Sequence, residues 1–238
     1  MSATLQECQE LCRLEGKELE QLWHKAACLR DQHWGKILTY SPKAFLPVTN
    51  LCRDRCSYCT FRRSPNDPKA KTMTLDEIAQ ICSKARQLGC IEALMCLGDR
   101  PETAYPSYGN FLRQYGVTTT AAYVQKACQV ALECGLLPHT NAGLLTKEEM
   151  AGLRPLNVSL GLMLENISPR LREKGQAHAA APDKDPQKRL RMLQEAGELK
   201  IPFTTGVLVG IGETDVELVE SLWAIHQVQQ EFGHIREV

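Results

Sequence analysis

The run Pro47-Val-Thr-Asn-Leu-Cys52-Arg-Asp-Arg-Cys56-Ser-Tyr-Cys59-Thr-Phe61 places three cysteines on a loop that follows a short apolar strand. The spacing is C-x3-C-x2-C, with Tyr58 directly before the last cysteine. Three thiolates converging from one short loop can hold three irons of a cubane 4Fe–4S cluster. The fourth iron then keeps an open position for a small molecule, so such a cluster does chemistry as well as carrying electrons. Plainer readings compete with this one. Zinc sites usually combine two C-x2-4-C pairs, or one pair with two histidines. Here the nearest further ligands, His33 and Cys82, lie well outside the loop. A disulfide leaves one thiol over, and chance clustering is the last alternative. The spacing favours the cluster.

Composition narrows the class. The chain has 238 residues, enough for one barrel-like α/β domain with a sizeable core. Lys plus Arg and Asp plus Glu number 28 each, which gives no electrostatic case for nucleic acid or an anionic membrane as partner. No apolar run reaches the ~18 residues of a membrane span. The opening Met1-Ser-Ala-Thr-Leu-Gln-Glu-Cys8 has neither a basic nor an apolar region of the secretory kind. Cys82, Cys90, Cys96, Cys128 and Cys134 sit inside apolar patterns, where free cysteine behaves as a small hydrophobe. A reducing cytoplasm is the expected location.

Working outward from the cysteines, residues 4–32 read as one amphipathic helix, with Leu5, Cys8, Cys12, Leu19, Leu22, Ala26 and Leu29 at three- and four-residue steps. We take 1–34 as an N-terminal helical unit and 35–238 as the core. Tyr40 to Thr49 contains a strand. Capping boxes at Thr74/Glu77, Thr146/Glu149 and Thr214/Glu217 open helices, the first running to about Leu88 and the last to about Glu231. A helix is also expected from about Thr118 to Cys134. Another runs from Asp185 to Ala196 and closes at Gly197. Strands are expected at 91–97, 136–139, 157–164 and 203–209, with a sixth beginning near the end of the chain. Strands alternating with helices indicate parallel βα units. The fold class is therefore α/β, as a partial (β/α) barrel rather than a doubly wound sheet. Chemistry in such barrels gathers at the C-terminal ends of the strands. The irregular stretch from Gln176 to Pro186 reads as a mobile loop over that face.

Candidate residues fall at those strand ends. Gly98, in Leu97-Gly-Asp-Arg-Pro-Glu102, can let backbone carbonyls approach an ammonium group, although Gly-Asp is also ordinary turn chemistry. Glu165 can accept two ribose hydroxyls or simply begin a solvated loop. Gly206-Val-Leu-Val-Gly210-Ile-Gly-Glu213 resembles a dinucleotide fingerprint but has Asp215 where the third glycine belongs. It is either a glycine-rich turn or a strand made for backbone contact with a flat ring. His139 and Asn141 end the third strand, and His139 is a candidate catalytic group or a packed histidine. His178 lies in the irregular loop. Arg53, Asp54 and Arg55 are solvated charges, loop-orienting groups or contacts for a polar substrate.

With these motifs together, the chain resembles the radical S-adenosylmethionine superfamily. The cysteine motif carries the likeness, as does G-x-I-x-G-x-x-E, which Gly206 to Glu213 match with Leu208 in place of isoleucine. Residues 47–61, Leu97 to Glu102, Pro138-His-Thr-Asn141 and Ala196 to Gly206 resemble more closely the ring-closing 7,8-didemethyl-8-hydroxy-5-deazariboflavin synthases, from about residue 35 onward. The resemblance implies that Cys52, Cys56 and Cys59 ligate a 4Fe–4S cluster whose open iron binds S-adenosyl-L-methionine. It implies Tyr58 near the adenine, Gly98 near the methionine ammonium and Glu165 near the ribose, with Gly206, Gly210 and Glu213 as further cofactor-binding positions. The implied reaction is a radical lyase step. The adduct of tyrosine's hydroxybenzyl group with 5-amino-6-(D-ribitylamino)uracil closes its ring and loses ammonia, giving a precursor of coenzyme F(420). The implied partners are this small-molecule substrate, a sister radical SAM subunit that supplies it and a low-potential electron donor. Members of the family continue past this point, so the resemblance implies a chain truncated as its sixth strand begins, with an open edge. The sister transferase that joins tyrosine to the uracil, and an inactive cluster- or zinc-binding fragment, are the alternative readings.

Overall fold

The computed structural model describes residues 4–238; the first three residues of the expected N-terminal unit lie outside the described residues. After two N-terminal helices, α1 (Leu5–Leu11) and α2 (Gly16–Trp34), strands and helices alternate. They are β1 (Lys43–Thr49), α3 (Leu75–Gln87), β2 (Glu92–Leu97), α4 (Pro106–Gln114), α5 (Thr120–Glu133), β3 (Leu137–Asn141), α6 (Lys147–Leu153), β4 (Ser159–Gly161), α7 (Pro186–Glu198), β5 (Phe203–Thr204), α8 (Asp215–Phe232) and β6 (Ile235–Glu237). The strands form one sheet in the order β1-β2-β3-β4-β5-β6, and every neighbouring pair is parallel. Parallel neighbours need helical crossovers, and an order that never reverses winds the sheet one way, as a barrel does. β1 and β6 remain as its two edges, so the architecture is a partial barrel.

Local sequence explains most helix starts. Thr74, Thr146 and Thr214 each accept the backbone N–H three residues on, and Glu77, Glu149 and Glu217 return the bond. Leu46, Met95, Leu160 and Phe203 are fully buried on β1, β2, β4 and β5. Burying a side chain of this size is worth about 1.5–3 kcal/mol. Two buried tyrosines tie the outer layer: Tyr123 Oη donates 2.6 Å to Met73 O, and Tyr108 packs against Phe111.

Several expectations change. The single helix over 4–32 is two, broken between Cys12 and Glu15, and the second begins at Gly16 with φ +50°. α1 lies against α8, where Gln9 donates to Glu220, whereas α2 has no buried residue and leaves Trp23, Leu29 and Trp34 exposed. Gly197 does not stop α7. The helix runs through it to Glu198; the glycine makes room for the Phe232 ring, which a Cβ there would overlap, and the turn out of the helix is made at Lys200, φ +54°. The helix α4, opened by Pro106, is additional to the expected set. β4 and β5 are shorter than 157–164 and 203–209. The Thr205 hydroxyl accepts from Leu164 N–H and donates to Leu162 O, replacing ladder bonds. Backbone contact resumes beyond it, from Glu165 N–H to Gly206 O and from Leu208 N–H to Glu165 O. Among the described residues, no helix is long and apolar enough to cross a membrane.

Candidate active site

The C-terminal ends of β1 to β4 surround a cleft of about 250 Å³. Cys52, Cys56 and Cys59 line it together, and all three thiols are free. Gly98 is seated against Cys52: an added Cβ would lie 2.6 Å from the Cys52 sulfur. The glycine is therefore needed for the approach of this thiol, a reason independent of any ligand. Two backbone N–H groups point at the sulfurs, from Asp99 to Cys52 Sγ at 3.1 Å and from Arg62 to Cys59 Sγ at 3.4 Å. The Arg62 side chain and Tyr105 Oη both donate to Cys52 O, fixing the root of the loop.

Cys52 and Cys56 are held protonated. Burial pushes Cys52 up to about 12, helped by the Asp99 and Asp54 carboxylates and opposed by the Asp99 N–H. Burial likewise pushes Cys56 up to about 11. A metal that takes these sulfurs must displace their protons. The donor set, three free thiols from one loop facing one cleft, is the number a cubane cluster takes from a protein when its fourth iron stays open.

Opposite the thiols sits a buried ionic network. Glu165, at φ +66°, lines the cleft and is held by Lys184 and by the Tyr58 hydroxyl, with His178 Nε2 at 3.4 Å and Arg189 at 3.9 Å. A non-glycine residue in the left-handed region costs on the order of 1–3 kcal/mol and tends to occur at functional sites. Burial alone would raise the pKa of Glu165. Its bond to His178 and the charges of Lys184 and Arg189 outweigh burial and hold it well below the carboxylate range. Burial and the Glu165 charge keep Tyr58 protonated, as a donor. Arg189 also donates to Met163 O at 2.8 Å.

The carboxylates of Asp54, Asp99 and Asp183 form a second buried group with oxygens within 4.8 Å of one another. Protein donors already use most of them. Arg53 grips both oxygens of Asp183, Leu144 N–H reaches Asp99, and Asp183 N–H reaches Asp54 Oδ1. Asp54 Oδ2 is buried without a hydrogen-bond partner. Burial, with Asp99 next, raises the Asp54 carboxyl to about 6.

Residues 46–222 match the Radical SAM superfamily. The chain belongs to that superfamily. It is 45% identical to a 7,8-didemethyl-8-hydroxy-5-deazariboflavin synthase of Methanosarcina mazei, over 84% of this chain and 58% of the relative. It is also 45% identical to an FO synthase of Nocardia farcinica, over all of this chain and 29% of the relative. The chain thus spans a little over half the length of the deazariboflavin synthases it matches, and less than a third of that FO synthase. The FeFe-hydrogenase maturase HydG from Carboxydothermus hydrogenoformans has the same fold, with a TM-score of 0.78 at 23% identity over 99% of this chain and 53% of that one.

Within this radical SAM chain, Tyr58, Gly98 and Glu165 join the three cysteines around the cleft, as does Asn141. Gly206, Gly210 and Glu213 are not among its lining residues. Gly206 O instead accepts the Glu165 N–H, and Glu213 accepts from Gly210 and Ile211, closing their turn. His139 also lies off the cleft. It shares a strand face with Asn141 but sits two residues deeper, bonded to Ser159 Oγ at 2.6 Å. Burial, with Lys43 next, lowers its pKa. The expected mobile loop is not loose: His178 and Asp183 are buried in it. Cys96, taken for an apolar filler, lines the cleft, whereas Cys82 and Cys128 are core residues. Sequence reasoning missed Arg62, Met163, Lys184 and Arg189. The dense charge between Asp183 and Arg191 was the one signal for the last two.

Proposed function

We propose that this chain carries the radical core of a 7,8-didemethyl-8-hydroxy-5-deazariboflavin synthase. It would act as a radical lyase on the hydroxybenzyl adduct of 5-amino-6-(D-ribitylamino)uracil, closing the ring with loss of ammonia on the way to coenzyme F(420). The observation that carries this reading is the convergence of three free thiols on one cleft, with Gly98 shaped to admit Cys52. The identity to named deazariboflavin synthases supports the substrate class.

Cys52, Cys56 and Cys59 would hold a 4Fe–4S cluster. When bound, the cluster and S-adenosyl-L-methionine supply a 5′-deoxyadenosyl radical after one-electron reduction by a low-potential donor. The chain's own residues prepare the cleft. Asp99 and Arg62 N–H groups steady two of the sulfurs, and Tyr58 and Glu165 form a polar wall for the nucleoside part of the cofactor. Gly206 holds Glu165 at its depth, and Gly210 with Glu213 shapes the adjoining turn. Lys184 and Arg189 keep Glu165 ionised and exclude water beside it. His139 would act only indirectly, by holding through its bond to Ser159 Oγ the strand that carries Asn141. A sister radical SAM subunit would deliver the adduct.

The test is anaerobic reconstitution, reduction in the presence of S-adenosyl-L-methionine, and chromatography for 5′-deoxyadenosine. Addition of the adduct should then yield the deazaflavin and ammonia by mass analysis. A cluster that forms and is reduced, yet never cleaves the cofactor, sinks the proposal.

A further inference from the structure

The cysteine loop has no helix or strand of its own between Cys52 and Cys59. Within it Cys59 N–H reaches Cys56 O, and at its root Arg53 N–H reaches Asp99 O beyond the end of β2. Such a segment cannot by itself fix three sulfurs in space, because each unrestrained residue keeps about 1–2 kcal/mol of backbone entropy.

The restraint comes from the segment between Gln176 and Pro186. Arg55 N–H donates 2.9 Å to Ala180 O, and Ser57 N–H donates 3.0 Å to Ala177 O. Arg53 grips the Asp183 carboxylate with two nitrogens, Asp183 N–H returns 3.1 Å to Asp54 Oδ1, and Tyr58 Oη meets His178 Nε2 at 3.0 Å. Between Cys52 and Cys59, every residue except Cys56 is therefore bonded to this one segment. The segment in turn is anchored to the core, where Arg189 of α7 donates 3.1 Å to Asp183 O and His178 N–H reaches Leu171 O at 2.8 Å. Asp183 is 1% exposed, so its charge is held by Arg53 in a low-dielectric setting where a two-pronged pair is directional.

We propose that the 176–186 segment is the backing strap of the metal loop, and that Arg53 and Asp183 are positioning residues for the three thiols. The strap sets where Cys52, Cys56 and Cys59 point; the residues themselves touch neither cofactor nor substrate. The significance for metal rests on the cluster reading above, but the positioning is a property of the metal-free chain and is measured there.

The experiment uses the full chain with Asp183→Asn, Arg53→Gln and Arg53→Lys. In the metal-free protein, hydrogen exchange at the Arg55 and Ser57 amides and the rate of Cys56 alkylation are followed, with thermal unfolding as the control for fold. Asp183→Asn should speed exchange and alkylation by about tenfold or more in a chain that still unfolds cooperatively, as loss of a charged hydrogen bond predicts. After reconstitution, iron should pass to a chelator faster by a similar factor, with a broadened electron paramagnetic resonance signal on reduction. Arg53→Lys, which keeps the charge and loses the fork, should fall between parent and Arg53→Gln. Should Asp183→Asn fail to fold, Arg53→Gln carries the same readouts, since that side chain is 28% exposed. Unchanged exchange and alkylation in folded variants overturn the proposal. So does faster exchange with unchanged iron release in a parent that takes up iron. A parent that takes up no iron removes the cluster reading and leaves the strap to be judged by exchange and alkylation alone.

Discussion

The mouth of the barrel and the N-terminal helix α2 are built from similar raw material, apolar residues interspersed with charges, and they end in opposite states. At the mouth Asp54, Asp99, Glu165, His178, Asp183 and Arg189 are buried and almost every polar atom is matched. On α2 nothing is buried, and Trp23, Leu29 and Trp34 are 63%, 58% and 71% exposed. A charge is tolerated in the interior only where partners are supplied from several directions. The cleft receives them from the ends of four strands and from the strap, whereas α2 lies outside the barrel wall. Perturbed ionisation at Asp54 and Glu165 accompanies that burial.

The contrast can be broken most severely at the thiols. Cys56→Ser should abolish cluster formation, so that iron per chain after anaerobic reconstitution falls to background. Cys96→Ala, in the same cleft, should leave iron content at the parent value. Absorbance near 400 nm and iron analysis read both.

Glu165→Gln should be the next largest. It removes the carboxylate that Lys184 grips and that Arg189 shares with Asp99, a loss of about 3–5 kcal/mol in urea unfolding. The sign with pH follows from the depressed pKa. Glu165 contributes in full above its unfolded value of 4.5, and its contribution fades as pH falls through the lower folded value. The gap between parent and variant should thus be wide at about pH 7 and narrow at about pH 3.

Gly98→Ala should cost about 1–3 kcal/mol, because the methyl must displace the Cys52 side chain. It should also slow cluster assembly, which separates it from a simple surface change. At the low end, Trp23→Ser or Leu29→Gln on α2 should move stability by no more than about 0.5 kcal/mol. A larger loss in either would mean that α2 is covered in solution and would dissolve the contrast.

What was legible in the sequence was local. Three capping boxes and the C-x3-C-x2-C spacing are short-range patterns, and the structure holds the boxes as helix starts and the cysteines around one cleft. What was not legible depended on distant partners. The glycine at 197 looks like a helix stop until Phe232 is packed over it. The strands before and after Thr205 look long until its hydroxyl takes their bonds. His139 and Asn141 are indistinguishable in a strand pattern, and only the depth of the cleft separates them. Lys184 and Arg189 read as surface charges because their partner, Glu165, precedes them across an irregular loop that periodicity cannot place.

The pairing of Arg53 with Asp183 joins positions 130 residues apart, whereas each strand lies beside its neighbour in sequence. A chain emerging from the ribosome could lay down β1 to β4 one after another while the sulfur ligands were still unbraced. Metal insertion would then be timed by translation: the pocket is finished only once Asp183 has followed the cysteines out of the ribosome.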